Sequence, residues 1–315
     1  MALKTELCDL LEIKKPIIQG GMAWVATGEL AAAVSSAGGL GIIGAGNAPA
    51  DAIEKEIEKV RELTDKPFGL NIMLLSPFAD DIIELAIEKK IPVITTGAGN
   101  PGKHVKRFQE VGSKVIPVVP SVALAKRMER LNVDAVIVEG TEAGGHIGEL
   151  ATMALVPQVV DAVEIPVIAA GGVADGRGLA AVIALGAKGA QIGTRFVCSK
   201  ECTASEEFKK AIVGARDRDA VVTGRSTGHP VRNLKNKLTK EIDRLEKEGA
   251  TSEKIEELGS GKLRDAVIDG DVQEGSVMAG QISGMISEIK SVEEIIEEIM
   301  LAAENTIRDN YNLLK

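Results

Sequence analysis

Residues 139–148 read EGTEAGGHIG. The chain holds only three histidines, and one of them, His146, stands directly behind Gly144 and Gly145. An imidazole titrates near neutrality and suits proton transfer. Glycines let a backbone pass close to a ligand. Together they would present His146 to whatever is bound beside it; the plainer reading is a histidine packed at a helix start. Two carboxylates share the stretch, Glu139 at a strand end and Glu142 in a positional role. His104, in NPGKHVKRF, is expected on the surface at a helix start. His229, in the polar loop TGRSTGHPVRN, is expected near a substrate.

The elements that would carry these residues are legible as a rhythm. Short apolar runs rich in β-branched residues recur at 16–20, 39–44, 68–73, 92–97, 114–119, 135–140, 166–172 and 190–196. Bounded by glycine or proline, they read as eight buried strands. Helical patterns lie between them. DAIEKEIEKVREL puts Ile53, Ile57 and Val60 on one face, and KHVKRFQEVG does the same with Val105, Phe108 and Val111. SVALAKRMERL opens on Ser121 as an N-cap and stripes Val122, Ala125 and Leu131. Alternating strand and helix implies parallel strands with right-handed crossovers. Eight units close a (β/α)₈ TIM barrel, an α/β fold. The rhythm breaks after Phe196. Residues 200–274 are read as a small cap subdomain, inserted between a barrel of residues 1–199 and its completion by 275–315. Within the insertion, NKLTKEIDRLEKEGATSEKIEELG reads as a solvated helix pair. A last helix starts at Ser291, with Glu294 at the capping-box spacing.

In such a barrel the active face lies at the C-terminal ends of the strands. The glycine-rich and polar residues fall there. Gln19, Gly20, Gly21 and Met22 follow the first strand, Gly44, Gly46 and Asn47 the second, and Asn71 and Met73 end the third. Thr95, Thr96 and Gly97 end the fourth, and Glu139 and Gly144 to His146 follow the sixth. Gly171 and Gly172 follow the seventh strand, Gly193 and Thr194 the eighth. The loops after strands seven and eight commonly bind phosphate through backbone N–H groups; ordinary left-handed turns are the alternative. GAGNAPA at 44–50 lacks the third glycine of a dinucleotide fingerprint and reads as another rim loop.

Composition narrows the partners. A net charge of −9 argues against nucleic acid or an anionic membrane. The first sixteen residues contain no apolar signal core, and no run of about 18 apolar residues could span a membrane. Cys8, Cys198 and Cys202 suit a reducing compartment, and a cytoplasmic location is expected. Cys198 and Cys202 could face one side of a helix, but no histidine completes a metal site, and no metal is expected. Aromatics make up 2% of the chain, so a planar ligand would be gripped by backbone and aliphatic groups.

IIQGGMAWV, LNIMLLSP, TGAGNP, VEGTEAGGHIG, VIAAGGVADGRG and GAQIGTRF occur in this order, followed by GSVMAGQISG. This series resembles the FMN-dependent barrel family of nitronate monooxygenases and enoyl-acyl-carrier-protein reductase II. GGMAWVATGELAAAVSSAGGLGIIG and TGRSTGHPVRN bring it nearer the reductases. The resemblance implies FMN at the barrel mouth, with backbone contacts from Gly21 and Met22 and side-chain contacts from Asn71 and Gln191. It places the phosphate among Gly145, Gly171, Gly172, Gly193 and Thr194, adds Asn47, Glu139 and Met278 to the cofactor contacts, and makes His146 the catalytic residue. The implied reaction is reduction of an enoyl thioester on acyl carrier protein, in fatty acid synthesis, with NADH or NADPH as co-substrate. A homodimer is implied as well. Nitronate oxidation with dioxygen shares the same motifs, and a non-redox phosphate-binding barrel is a third reading.

Overall fold

The computed structural model describes residues 3–314. In chain order its strands are β1 (Ile17–Gln19), β2 (Gly41–Gly44), β3 (Phe68–Met73), β4 (Val93–Gly97), β5 (Lys114–Val119), β6 (Val136–Glu139), β7 (Gly145–His146), β8 (Val167–Ala170), β9 (Gly189–Ile192), β10 (Ala220–Thr223) and β11 (Val231–Leu234). Eight of them pair in parallel in the order β1-β9-β8-β6-β5-β4-β3-β2. The two ends of this row meet where Gln19 N donates to Leu40 O and Leu40 N to Ile17 O, both at 2.9 Å. The buried Gln19 side chain stitches the same seam, accepting from Ile42 N at 3.1 Å and donating to Ile42 O at 3.2 Å. The result is the expected (β/α)₈ barrel. The expected eighth strand is shorter than its apolar run. It stops at Ile192, and Gly193 caps a one-turn helix, Thr194–Val197.

Alternation along each strand separates two cores. Ile18, Ile42, Val93, Ile116, Ile137 and Ile168 form one cluster with Leu7, Cys8 and Leu11, so the N-terminal helix Glu6–Leu11 packs against the inward-facing residues. Their neighbours Ile17, Ile43, Ile94, Val115, Val136 and Val167 belong to the second cluster, shared with the surrounding helices. This is the period-two pattern of a small barrel. Ile53, Ile57 and Val60 are the buried residues of helix Ala50–Leu63. Ser121 accepts from Leu124 N as an N-cap, but Ala125 and Met128 are the fully buried residues of its helix, with Val122 and Leu131 only partly covered. Val111 likewise caps its helix half-buried, outside the buried face of Val105 and Phe108.

Two expectations are corrected. His104 does begin a helix, Gly102–Glu110, but is only 7% exposed. It shares the inward face of Val105 and Phe108, its ring lies 6.5 Å from that of Phe108, and its Nδ1 has no hydrogen-bond partner. Burial lowers its pKa, helped by Lys103 and Arg107. Cys198 and Cys202 do not share a helix face, because the helix ends at Val197. Both are buried, and burial pushes the Cys198 thiol up to about 12. Among the described residues no cluster of three His, Cys, Asp or Glu side chains could hold a metal, and no helix is long and apolar enough to cross a membrane.

The chain after Phe196 is more ordered than a polar loop. β10 and β11 form an antiparallel hairpin around a tight turn at Arg225–Thr227. The charged stretch forms helices Lys237–Lys247 and Ser252–Gly259, which share a small core of Leu238, Ile242, Leu245 and Ile255. Helix Val292–Asn312 starts with the expected capping box of Ser291 and Glu294. A second box, Asn236 with Thr239, starts helix Lys237–Lys247. The buried Asn236 amide also donates to Val272 O at 2.9 Å and Gly275 O at 2.7 Å. Asn236→Ala removes the cap and leaves two carbonyls short of a donor, so a loss of about 2 kcal/mol is expected. Chemical denaturation would show it as a lower midpoint; an unchanged midpoint would refute it.

Candidate active site

The stretch around His146 is built by strand pairing that runs outside the barrel. β7 leaves the end of β6 and pairs antiparallel with β11, with Val231 opposite His146 and Arg232 opposite Gly145. Ile147 N donates to Pro230 O at 3.1 Å, continuing the ladder. The hairpin beyond the barrel therefore fixes the backbone that carries the imidazole. Arg232 locks the approach to β7. It is 5% exposed, and its Nε and Nη2 donate to Thr141 O at 3.2 and 2.9 Å while Nη1 reaches Ala220 O at 3.3 Å. Burial lowers its pKa, opposed by the charge of Glu142.

The loops after β6, β8 and β9 converge on one place. Glu142 accepts from Thr152 N at 2.9 and 3.0 Å and from Thr152 Oγ1 at 2.9 Å, and Thr152 Oγ1 is also 3.0 Å from Gly171 O. Gln281 N donates to Glu142 O at 3.0 Å, and Gly280 N to Thr194 Oγ1 at 2.9 Å. Segment 276–281 thus ties Thr194 to the loop of His146. At Gly144 a Cβ would lie 2.7 Å from Ala279 C and Gly280 N, so only glycine permits this crossing. Gly171 and Gly172 have φ of +87° and +77°, a left-handed pair that glycine adopts at little cost.

The other expected residues complete the wall. A Cβ on Gly21 would sit 2.2 Å from Asn71 Cβ, so the loop after β1 lies directly on Asn71. Asn71 Oδ1 accepts from Thr95 Oγ1 at 2.9 Å. Met22 Sδ is 3.3 Å from the Cβ position of Gly193, and Met278 Sδ is 3.4 Å from that of Gly145. Gln191 is 9% exposed, beside Gly20, and its amide has no protein partner among the described residues. Contacts therefore join Asn71, Gly21, Met22, Gly193 and Thr194 to Gly145, Met278, Gly171 and Gly172. Asn47 is exposed in the loop after β2, whose Gly44 and Gly46 lie against Met22 and Ala23.

Two titratable groups are perturbed here. Glu139 ends β6 opposite Ala170 of β8. Among the described residues no cation or donor pairs with its carboxylate, and burial alone raises its pKa to about 7. The His146 ring is reachable from solvent on one side but crowded by protein. That partial desolvation lowers its pKa, and the charge of His229 lowers it further. A carboxyl raised to about 7 and an imidazole lowered by burial, both at the barrel mouth, are the equipment of acid–base chemistry. Helix Lys262–Val267 reaches the same rim, with Arg264 stacked 6.0 Å from the ring of Trp24 in the loop after β1.

Arg232 and Thr152 were not singled out from the sequence. For Arg232 the signal was present: the β-branched run AVVT and the segment PVRNL flank a turn that carries Gly224 and Gly228, which is hairpin grammar. Thr152 left no such signal, because its role depends on a carboxylate ten residues away.

The chain is similar over nearly its whole length to several known proteins. It is 34% identical to the (3aS,4S,5R,7aS)-5-hydroxy-7a-methyl-1-oxo-octahydro-1H-indene-4-carboxyl-CoA dehydrogenase of Mycobacterium tuberculosis, covering 96% of this chain and 97% of that one. It is 34% identical to a probable nitronate monooxygenase of Staphylococcus saprophyticus, over 95% and 98% of the two chains. Among solved structures, FabK from Thermotoga maritima superposes with a TM-score of 0.96 at 51% identity over 99% of both chains. A nitroalkane oxidase from Streptomyces ansochromogenes superposes at 0.86 and 29% identity, over 97% and 99%. The nitronate monooxygenase family profile matches residues 4–302, and with a barrel mouth built around His146 and paired glycine loops, the chain belongs to that family.

Proposed function

We propose that the protein is an FMN-dependent enoyl-thioester reductase, with residues 200–274 capping the mouth of a barrel made of 1–199 and 275–315. The observation that carries the reading is the convergence of the loops after β6, β8 and β9, with Gln191 and Asn71 against the loop after β1. Backbone N–H groups at Gly171, Gly172, Gly193 and Thr194 suit a phosphate, and the unpartnered Gln191 amide suits a polar ring edge. Gly21 and Met22 would line the ring with backbone, as a site poor in aromatics requires. Glu139, whose pKa burial raises to about 7, can donate a hydrogen bond to the same group in its protonated form. When bound, FMN would carry hydride from NADH or NADPH to the β-carbon of the enoyl chain. His146 supplies the proton to the α-carbon. Arg232 and the β7–β11 ladder hold the backbone that carries His146.

The 51% identity to FabK, an enoyl-acyl-carrier-protein reductase, favours the thioester substrate over a nitronate. The mycobacterial relative is also named for a thioester. Purified protein is expected to show a flavin spectrum and to consume NADH or NADPH in proportion to added crotonyl thioester. Oxygen uptake with a nitroalkane, without thioester-dependent consumption of nicotinamide, would replace this reading with nitronate oxidation. Protein that purifies without flavin and cannot be loaded with it would overturn both.

A further inference from the structure

His229 precedes β11 by a single proline, and β11 is the strand that positions His146. Val231 pairs with His146, and Pro230 O accepts from Ile147 N at 3.1 Å. Two of the chain's three histidines are thus brought to one point of the rim by backbone pairing, from segments some eighty residues apart. We propose that His229 is the proton-relay partner of His146, delivering solvent protons to that imidazole and controlling by its charge when His146 holds one. The proposal rests on the catalytic reading of His146 given above.

The surroundings favour a private pair. Glu142 is engaged by Thr152, and Glu149 by Arg225 at 2.7 Å. Arg232 is buried on carbonyl oxygens. Glu246 is engaged by Gly224 N and Ser226 N, and among the described residues Glu139, at the end of β6, is the carboxyl of the site left without a partner; the one charge that shifts His146 is that of His229. His229 itself is exposed and so in contact with bulk water. The repulsion between the rings already appears in the lowered pKa of His146, after the effect of desolvation. In the relay, His146 gives its proton to substrate carbon and is left neutral. His229, as the cation, passes one proton to the freed nitrogen directly or through one water, and recovers another from solvent. Charge and protons balance, and no electrons move in the relay.

With only three histidines, the imidazole C–H signals of the purified holoenzyme can be titrated individually by NMR. In His229→Gln the His146 titration should move to higher pH. In His229→Lys, which keeps a positive charge, it should stay near the parental position. The signal of buried His104 reports whether the fold is intact. Turnover with crotonyl thioester should fall in both variants, and added imidazole should restore it in His229→Gln. An unmoved His146 titration in His229→Gln with His104 unperturbed overturns the coupling. Parental turnover in both variants overturns the relay. The NMR arm is independent of substrate, so it stands even if the assays identify a nitronate rather than a thioester.

Discussion

His146→Asn is expected to yield folded, yellow protein that accepts reducing equivalents from NADH at close to the parental rate and returns them to an enoyl thioester ~10²–10⁴-fold more slowly. That range is what a positioned acid–base group ordinarily contributes. The two half-reactions separate cleanly because flavin absorbance follows each in a stopped-flow instrument. The asymmetry follows from where the ring sits. β7 makes backbone bonds to β11 whatever side chain occupies position 146, and Val231 remains opposite. The ring is open to solvent and makes no hydrogen bond that holds the loop, so its loss removes a proton donor and little else. Reoxidation by thioester at the parental rate would show that the α-carbon proton comes from elsewhere, with Glu139 the next group to test. Loss of flavin would mean that His146 holds the site together.

Gly193→Val is expected to give a folded, colourless protein. Gly193 has a negative φ, −105°, so it does not need the left-handed freedom of glycine, and the only atoms within 4 Å of its Cβ position belong to the flexible Met22 side chain, nearest at 3.3 Å. The first added carbon therefore needs only a small shift of Met22, and the space the side chain fills is the space proposed for a phosphate. Displacing the phosphate from two charge-assisted hydrogen bonds costs roughly 3 kcal/mol or more, or about 10²-fold in affinity. Flavin content after purification, and titration of the apoprotein with FMN, measure it. Retention of one flavin per chain in Gly193→Val, with unchanged thermal stability, would move the phosphate away from the loop after β9.

The division between sequence and structure follows the range of the interactions. The eight strands, the inward faces at Ile53, Ile57 and Val60, and the caps at Ser121 and Ser291 were all legible, because each depends on residues within a turn or two of one another. So was the placing of glycine pairs at the ends of strands, since the barrel itself dictates which end carries the loops. His104 was misjudged because its polarity outweighed its position; only the packed helix shows that it shares a face with Val105 and Phe108. β7 could not be read locally. Two residues form no pattern, and Gly145–His146 becomes a strand only because Val231 and Arg232 arrive to pair with it. The same distance hid Arg232 on Thr141 O, Glu142 on Thr152, and Gly280 on Thr194. The sequence by itself determined a glycine-lined barrel mouth with a histidine at its sixth loop. Only the tertiary structure decided how that histidine is held and that His229 stands beside it, because strand pairing and buried hydrogen bonds join segments that share no local signal.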